Sequence, residues 1–179
     1  DVLMQIYTSA GWSERDAAKS ILENNLFGLD IDDRAGQLAY FAVMMKARKY
    51  NRRILNSENR PNVMAIQDSS FMSDGLIGFV ADTDKDIKDD LMEIRRAFTD
   101  AKEYGSILNV KMPKCAAIYN RIDEIAESTP EDIFAMMYRD QAVNQLRQLV
   151  KQAEILAQKY EVVVTNPPYA AASGLSEKR

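Results

Sequence analysis

The sequence predicts an α/β fold: a sheet of parallel strands with a largely helical insertion. Three short apolar runs have the length and composition of buried strands, and they are Leu26–Ile31, Asn62–Gln67 and Glu161–Thr165. Between the second and third runs, the chain from about Asp84 to Lys159 is almost entirely helical in pattern. Alternating strands and helices are typical of parallel sheets, so we expect a helical lobe inserted between two strands of one sheet.

This pattern divides the chain into three parts. Residues 1–81 are predicted to form the first part of the sheet with its helices, and residues 82–159 the helical insertion lobe. Residues 160–179 are predicted to return to the sheet as a strand and then to leave it in a proline-rich turn. We expect one hydrophobic core with an appended lobe, because 179 residues of which 46% are hydrophobic can bury a core of that size.

The first part begins with helices and then enters the sheet. Val2–Ser9 and Ser13–Glu23 have helical patterns on either side of Gly11, and Ser13 is a suitable N-cap for the second helix. Leu26–Ile31 is apolar and bounded by polar pairs, which predicts a buried strand.

A long helix is predicted between the first two strands. It spans roughly Asp33–Asn51, and Pro61 then leads into the second strand, Asn62–Gln67. Four apolar side chains share one face of this helix at helical spacing: Leu38, Phe41, Ala42 and Met45.

The helical lobe is predicted from apolar positions that step by four and three residues. On a helix, these positions form an apolar seam along one face. Helices with such seams pack against partner helices, so we expect an antiparallel helical hairpin or a three-helix lobe. Thr129-Pro130 is predicted to open the last helix. The seams are Ile87, Leu91, Ile94, Phe98 and Ala101, then Ile118, Ile122 and Ile125, then Ala142, Leu146, Leu149, Ala153, Leu156 and Tyr160.

The composition limits the classes of function. The net charge is −4 and the pI about 5.0, which argues against the basic surface of an independent nucleic-acid-binding domain. There is no histidine, which excludes histidine-dependent triads, His-ligated zinc and histidine acid–base catalysis from these residues. No apolar run approaches the roughly 20 residues of a membrane span, and no signal peptide is present. With its single cysteine, Cys115, the chain is predicted to be cytoplasmic and to make no membrane contact.

The end of the third strand carries the most specific chemistry. Val162–Val164 predict a strand covered on both faces, and Pro167 ends it because proline cannot donate to the ladder. Pro168 stiffens the backbone further, at the strand end where open α/β sheets bind ligands. The Asn166 side-chain carbonyl and the Pro167 main-chain carbonyl can then converge on one NH2 group, which has two protons to donate. Tyr169 supplies a flat face for stacking a ring.

Asn166-Pro167-Pro168-Tyr169 is similar to the catalytic motif of S-adenosylmethionine-dependent amino-methyltransferases, especially those that act on adenine in DNA. The resemblance implies a Rossmann-like methyltransferase sheet, of which this sequence holds only a part. It implies that Asn166 and Pro167 hold the exocyclic amine and that Tyr169 stacks on a base flipped out of the duplex. Relatives that act on cytosine usually carry serine at the position of Asn166, so the asparagine favours adenine.

A second segment resembles the cofactor-binding part of the same family. GLDIDDRA, residues 28–35, is similar to a motif whose first acid holds the cofactor ribose and whose next residue packs on the cofactor adenine. The match implies these roles for Asp30 and Ile31, with S-adenosylmethionine as cofactor. Asp68, just past the second strand, lies where the family uses an acid to bind the amine of the cofactor adenine.

The glycine-rich loop that completes such a cofactor site is not in the sequence. Only Gly11 and Gly28 precede Asp30, and neither lies in a glycine-rich turn. We therefore expect the loop to precede Asp1 in a longer protein, and the cofactor site in these residues to be incomplete. Double-stranded DNA is the expected partner, mostly through regions outside this sequence, with the DNA-reading residues beyond Arg179.

A missing first strand would leave a gap between the Leu26 strand and the Val162 strand. We expect these residues to cover the gap by rearranging or by pairing with another chain, which predicts self-association. More widely, Leu22–Arg48, the helical insertion and the proline-rich motif resemble the adenine methyltransferases of BREX-type phage defence and the methylase parts of restriction–modification enzymes.

Alternatives remain at each step. Asp30 could solvate a strand end, Asp68 could form an ordinary turn, and the proline-rich motif could be a rigid turn. The same motif also occurs in enzymes that methylate protein glutamine or RNA guanine amines, although the long helical insertion favours the DNA enzymes. The lobe could instead be an assembly surface in a protein without catalytic activity.

No metal site is predicted. Asp82, Asp84, Asp86 and Glu93 fall at the first, third, fifth and twelfth positions of a calcium-binding loop. The sixth position requires glycine and is Ile87, which belongs to the helical seam.

Overall fold

Two parallel strands form the sheet in the computed structural model, which describes residues 1–57, 60–105 and 108–165. Strand β1 is Phe27–Asp30 and strand β2 is Asn62–Ala65. The register pairs the first residues of the two strands with each other and Asp30 with Ala65. The α/β class is therefore confirmed, with helices predominating, and so are the first two predicted strands and their parallel direction.

Helices α1, Val2–Ser9, and α2, Glu14–Ser20, precede the sheet. The hydroxyl of Ser13 accepts a hydrogen bond from the main-chain N–H of Asp16 at 3.1 Å, so the predicted N-cap is confirmed. A π-helical turn, Ile21–Asn25, then leads directly into β1.

Helix α3, Asp33–Tyr50, connects β1 to β2 and packs on both strands. Its N-cap is Asp32, whose carboxylate accepts from the main-chain N–H groups of Arg34 and Ala35 at 2.7 and 3.1 Å. A short 3-10 turn, Ile54–Asn56, follows the helix.

The predicted apolar face of α3 does exist, but it points to solvent. Leu38, Phe41 and Met45 are 69%, 60% and 39% exposed. The helix buries a different set of side chains, including Met44 and Ala47, against Leu22 and Ile54. Helical spacing thus identified a shared face without saying which face contacts the core.

The helical lobe shares one hydrophobic core with the end of β2. The members of all three predicted seams through Ala153 are buried in this core, as the spacing predicted, but the described part of this region holds more helices than the predicted hairpin or three-helix lobe. Ile66, directly after β2, belongs to the same core. The helices that follow β2 are α4, Asp74–Ala81; α5, Lys85–Ala97; α6, Ala101–Tyr104; α7, Cys115–Glu127; α8, Ile133–Gln141; and α9, Arg147–Ala157. The division of the chain at residues 82 and 160 stays a prediction.

The predicted start of the last helical segment, at Thr129-Pro130, is wrong by three residues. Helix α8 begins at Ile133, and the carboxylate of Asp132 accepts from the main-chain N–H of Ala135 at 2.7 Å. Asp132 rather than Thr129-Pro130 sets the start, because its side chain satisfies an N–H group that the helix leaves without a partner. A π-helical turn, Ala142–Leu146, joins α8 to α9 in one continuous helical run.

The predicted third strand does not form within the described residues. Val162, Val163 and Val164 are 79%, 74% and 90% exposed and pair with neither strand. Their β-branched side chains favour extended backbone, but a strand also needs a neighbouring backbone to complete its hydrogen bonds. After α9 the chain approaches β1 at Tyr160, whose ring centroid lies 5.3 Å from that of Phe27. None of the described helices is long and apolar enough to cross a membrane.

Candidate functional site

The two candidate cofactor acids follow neighbouring strands at the same edge of the sheet. Asp30 is the last residue of β1, and its register partner Ala65 ends β2 three residues before Asp68. The carbonyl oxygen of Asp30 accepts a hydrogen bond from the N–H of Ile66 at 2.7 Å, which ties the two strand ends together. The structure therefore brings Asp30 and the segment carrying Asp68 to the edge where open α/β sheets bind ligands.

Asp30 combines a local structural role with a free carboxylate oxygen. Its Oδ1 accepts from the main-chain N–H of Asp32 at 2.9 Å and so closes the turn between β1 and α3. Its Oδ2 has no hydrogen-bond partner within residues 1–57, 60–105 and 108–165, and the residue is exposed. An acceptor in this position suits a ligand that brings hydroxyl donors, such as a ribose diol.

Asp68 repeats this arrangement on the second strand. Its Oδ1 accepts from the main-chain N–H of Ser70 at 2.7 Å, and its Oδ2 likewise has no partner in the described part of the chain. The residue is half-buried, whereas Asp30 is exposed. A partly shielded carboxylate acceptor suits an amine donor such as the exocyclic NH2 of adenine.

Ile31 presents an apolar surface between the strand end and helix α6. Its side chain is 40% exposed. A Cβ atom built on Gly105, whose φ is +54°, would lie 3.0 Å from the Cγ2 of Ile31. Glycine at 105 therefore allows the close approach of the α6 end to Ile31, and an exposed apolar patch results beside Asp30.

A salt bridge links α6 to the start of α3. The Nζ of Lys102 lies 2.8 Å from the Oδ2 of Asp33. The hydrogen bond from Lys102, followed by that from Gln67, holds the pKa of the Asp33 carboxyl below its ordinary value. Lys102 thus offsets one of the negative charges clustered after β1, where Asp30 and Asp32 also lie.

The proposed catalytic motif lies outside the described residues. Asn166, Pro167, Pro168 and Tyr169 follow the last described residue, Thr165, so their roles stay predictions.

Three residues that shape this edge were not singled out from the sequence. Gln152 on α9 and Ser69 are the buried polar residues of the described chain, and both bond to main-chain atoms near Asp68. A glutamine among the apolar positions of α9 is a recognisable signal, whereas the contacts of Ser69 and Lys102 depend on the fold and leave no sequence pattern.

The aspartates of the rejected calcium loop have structural roles. The carboxylate of Asp84 accepts from the N–H of Ile87 at 3.1 Å and caps α5, and Asp86 forms a salt bridge with Lys114. Within the described residues, no group of three or more acidic, cysteine or histidine side chains is arranged to hold a metal ion.

Comparisons with known proteins place the chain in one family. Residues 24–179 match the family described as Eco57I restriction-modification methylase. The chain is 36% identical over 197 aligned positions to "Adenine-specific methyltransferase BrxX" of Escherichia coli O9:H4 (strain HS). This alignment covers 98% of the chain and 16% of that protein. It is 37% identical over 173 aligned positions to "Adenine-specific methyltransferase PglX" of Lacticaseibacillus casei (strain Zhang). That alignment covers 94% of the chain and 14% of the relative. The chain thus spans about one-sixth of the length of these curated relatives, and it belongs to the Eco57I restriction-modification methylase family.

Proposed function

We propose that this chain is part of the catalytic region of a DNA adenine methyltransferase that acts in restriction–modification or phage defence. The enzyme would transfer a methyl group from the sulfur of S-adenosylmethionine to the exocyclic amine of adenine, which leaves S-adenosylhomocysteine and releases one amine proton. Family membership supports the proposal, as do two relatives that are both named adenine-specific methyltransferases. The structural observation that carries it is the parallel register that brings Asp30 and the Asp68 segment to one sheet edge.

The residues at that edge fit the nucleoside half of the cofactor. Asp30 would accept hydrogen bonds from the ribose hydroxyls, Ile31 would pack on the adenine ring, and Asp68 would accept from its amine. The free Oδ2 atoms of both acids and the exposed surface of Ile31 support these roles. When bound, S-adenosylmethionine supplies an electrophilic methyl group on a positively charged sulfur.

The catalytic step would depend on positioning rather than on acid–base chemistry. The Asn166 side-chain oxygen and the Pro167 main-chain oxygen would accept both protons of the target amine and direct its lone pair towards the methyl group. Tyr169 would stack on the flipped base, and Pro168 would keep the Pro167 backbone rigid. A chain without histidine is suited to this mechanism.

DNA would be held mostly by regions outside these residues. The chain carries a net charge of −4, whereas DNA-binding surfaces gain most of their affinity from Lys and Arg contacts to phosphates. A DNA-modifying enzyme of this bacterial family would act in the cytoplasm, where its substrate lies.

An assay of acceptors tests the proposed substrate. The complete gene product would be incubated with methyl-labelled S-adenosylmethionine and, separately, with duplex DNA, duplex DNA without adenine, RNA and protein. We expect label only in adenine-containing DNA, recovered as N6-methyladenine after digestion to nucleosides. Label in protein glutamine or RNA guanine would support methyl transfer to an amine but contradict DNA as the substrate. No label in any acceptor would favour an assembly module without catalytic activity.

A further inference from the structure

Gln152 is a buried amide that bonds the helical lobe to the end of β2. The residue is 1% exposed on α9. Its Oε1 accepts from the main-chain N–H of Gln67 at 2.9 Å, and its Nε2 donates to the main-chain oxygen of Ala65 at 3.1 Å. A buried amide is costly unless its polar atoms have partners, and here both ends bond to the backbone on either side of Ile66. The side chain therefore substitutes for the hydrogen bonds of a neighbouring strand at the exit of β2.

Ser69, which follows Asp68 in the sequence as Gln67 precedes it, is also anchored to the lobe. Its N–H donates to the main-chain oxygen of Phe98 at 3.1 Å, and its hydroxyl donates to that of Arg95 at 2.7 Å. Ser69 is 3% exposed. The two acceptors lie at the C-terminal end of α5, where carbonyl groups have no partner within the helix.

Asp68 therefore lies between two residues that different lobe helices hold in place. Within the described residues, the Asp68 carboxylate accepts one hydrogen bond, from the N–H of Ser70, and the anchored backbone at Gln67 and Ser69 fixes the turn from which it projects. We infer that Gln152 is a positioning residue for Asp68: through its two main-chain hydrogen bonds, the helical lobe fixes the carboxylate that would hold the cofactor adenine. This inference rests on the proposed function, because it assigns the lobe a part in that same cofactor site.

A role limited to packing the lobe core would be met more simply by an apolar side chain. The neighbouring positions of α9, Leu149, Val150 and Ala153, are fully buried and apolar. Gln152 makes both of its hydrogen bonds to the strand exit rather than within the lobe. Its removal should consequently act on the Asp68 segment first and on the lobe core second.

The test replaces Gln152 with methionine in the complete gene product. Gln152→Met keeps the length and approximate volume of the side chain and removes both hydrogen bonds, so the variant should fold. Ile118→Val is the matched control, since it removes one methyl group from a fully buried lobe position far in sequence from the strand exit. The measurements are the Kd and KM for S-adenosylmethionine, kcat at saturating cofactor, and amide hydrogen exchange at Gln67 and Ser69.

We expect Gln152→Met to raise the Kd and KM about tenfold, to leave kcat within about twofold, and to speed exchange at the Gln67 amide about tenfold. Ile118→Val should leave all of these values unchanged. If Gln152→Met behaves as the control does, the positioning role is overturned. The positioning role is also overturned if hydrogen exchange at the Gln67 amide accelerates while the affinity for S-adenosylmethionine does not fall.

An Asp68→Asn variant separates this inference from the proposed function. Weaker cofactor binding in Asp68→Asn together with normal binding in Gln152→Met overturns the positioning role and leaves the proposed cofactor site intact. Normal binding in Asp68→Asn contradicts the cofactor role of Asp68, and the positioning role falls with it.

Discussion

Asp30 and Asp68, at the sheet edge, each close a turn and still have a carboxylate oxygen available for a ligand. Asp30 and Asp68 each use one oxygen to close a turn, which is the plain structural interpretation of an aspartate after a strand. Each also keeps a second oxygen without a partner in the described chain. The turn holds the carboxylate in place, so the structural role supports ligand binding rather than competing with it.

Replacing Asp30 tests this combination. Asp30→Asn keeps the oxygen that closes the turn and removes the negative charge, so we expect about a tenfold loss of affinity for S-adenosylmethionine without loss of folding, since hydrogen bonds to charged groups contribute about 1.5–3 kcal/mol. Titration calorimetry on the complete gene product measures the affinity. Asp32→Asn is the control, because asparagine still caps α3 and Asp32 is assigned no cofactor contact. Equal affinities for the two variants would show that Asp30 does not hold the cofactor.

Among the elements, helices were predicted more completely than strands, for a physical reason. The seam from Ile87 to Ala101 lies within one stretch of sequence and is buried as expected. A strand is completed by a partner backbone that its own sequence does not specify, and Val162–Val164 lack one in the described chain. The exposed face of α3 was missed for the same reason. Phe41 and Met44 are both apolar, and only the surface against which the helix packs decides which of them is buried.

The candidate site shows the same limit. Asp30, Ile31 and Asp68 could be identified because they follow apolar strands or match a family motif. Gln152 contacts the backbone more than 80 residues away in sequence, so no local pattern reveals its partners.

The packing of α3 against β2 gives a stability prediction. A Cβ atom on Gly36 would lie 3.0 Å from the main-chain nitrogen of Ala65, so Gly36→Ala forces the helix away from the strand and should destabilise the chain by about 1–3 kcal/mol. Gly78, inside α4, has nothing within 4 Å of the same position. Gly78→Ala should instead stabilise it by about 0.5–1 kcal/mol through helix propensity. Urea unfolding followed by circular dichroism distinguishes the two, and a stabilising Gly36→Ala would contradict the close packing of α3 on β2.

At the scale of the whole molecule, the sheet edge and the helical lobe form one unit. Ile66 is buried in the lobe core, Gln152 bonds across to β2, and Lys102 bridges to Asp33 at the start of α3. The lobe is therefore part of the framework that holds the candidate cofactor residues.

The 179 residues alone should bind the cofactor poorly. They include Asp30 and Asp68 but no glycine-rich turn upstream of Asp30 that could hold the methionine end of S-adenosylmethionine. We expect no binding detectable in the micromolar range by titration calorimetry, and binding in the complete gene product. A micromolar Kd for the 179-residue chain would mean that these residues form the site by themselves.

The most direct measurement of the proposed activity is genomic adenine methylation in cells whose only adenine methyltransferase is the complete gene product. We predict that Asn166→Ala abolishes N6-methyladenine at every site methylated by the unsubstituted protein, while Lys159→Ala, at an exposed position before the motif, leaves it in place. Both proteins should be present at equal levels by immunoblot. Unchanged genomic methylation in Asn166→Ala would contradict the catalytic assignment.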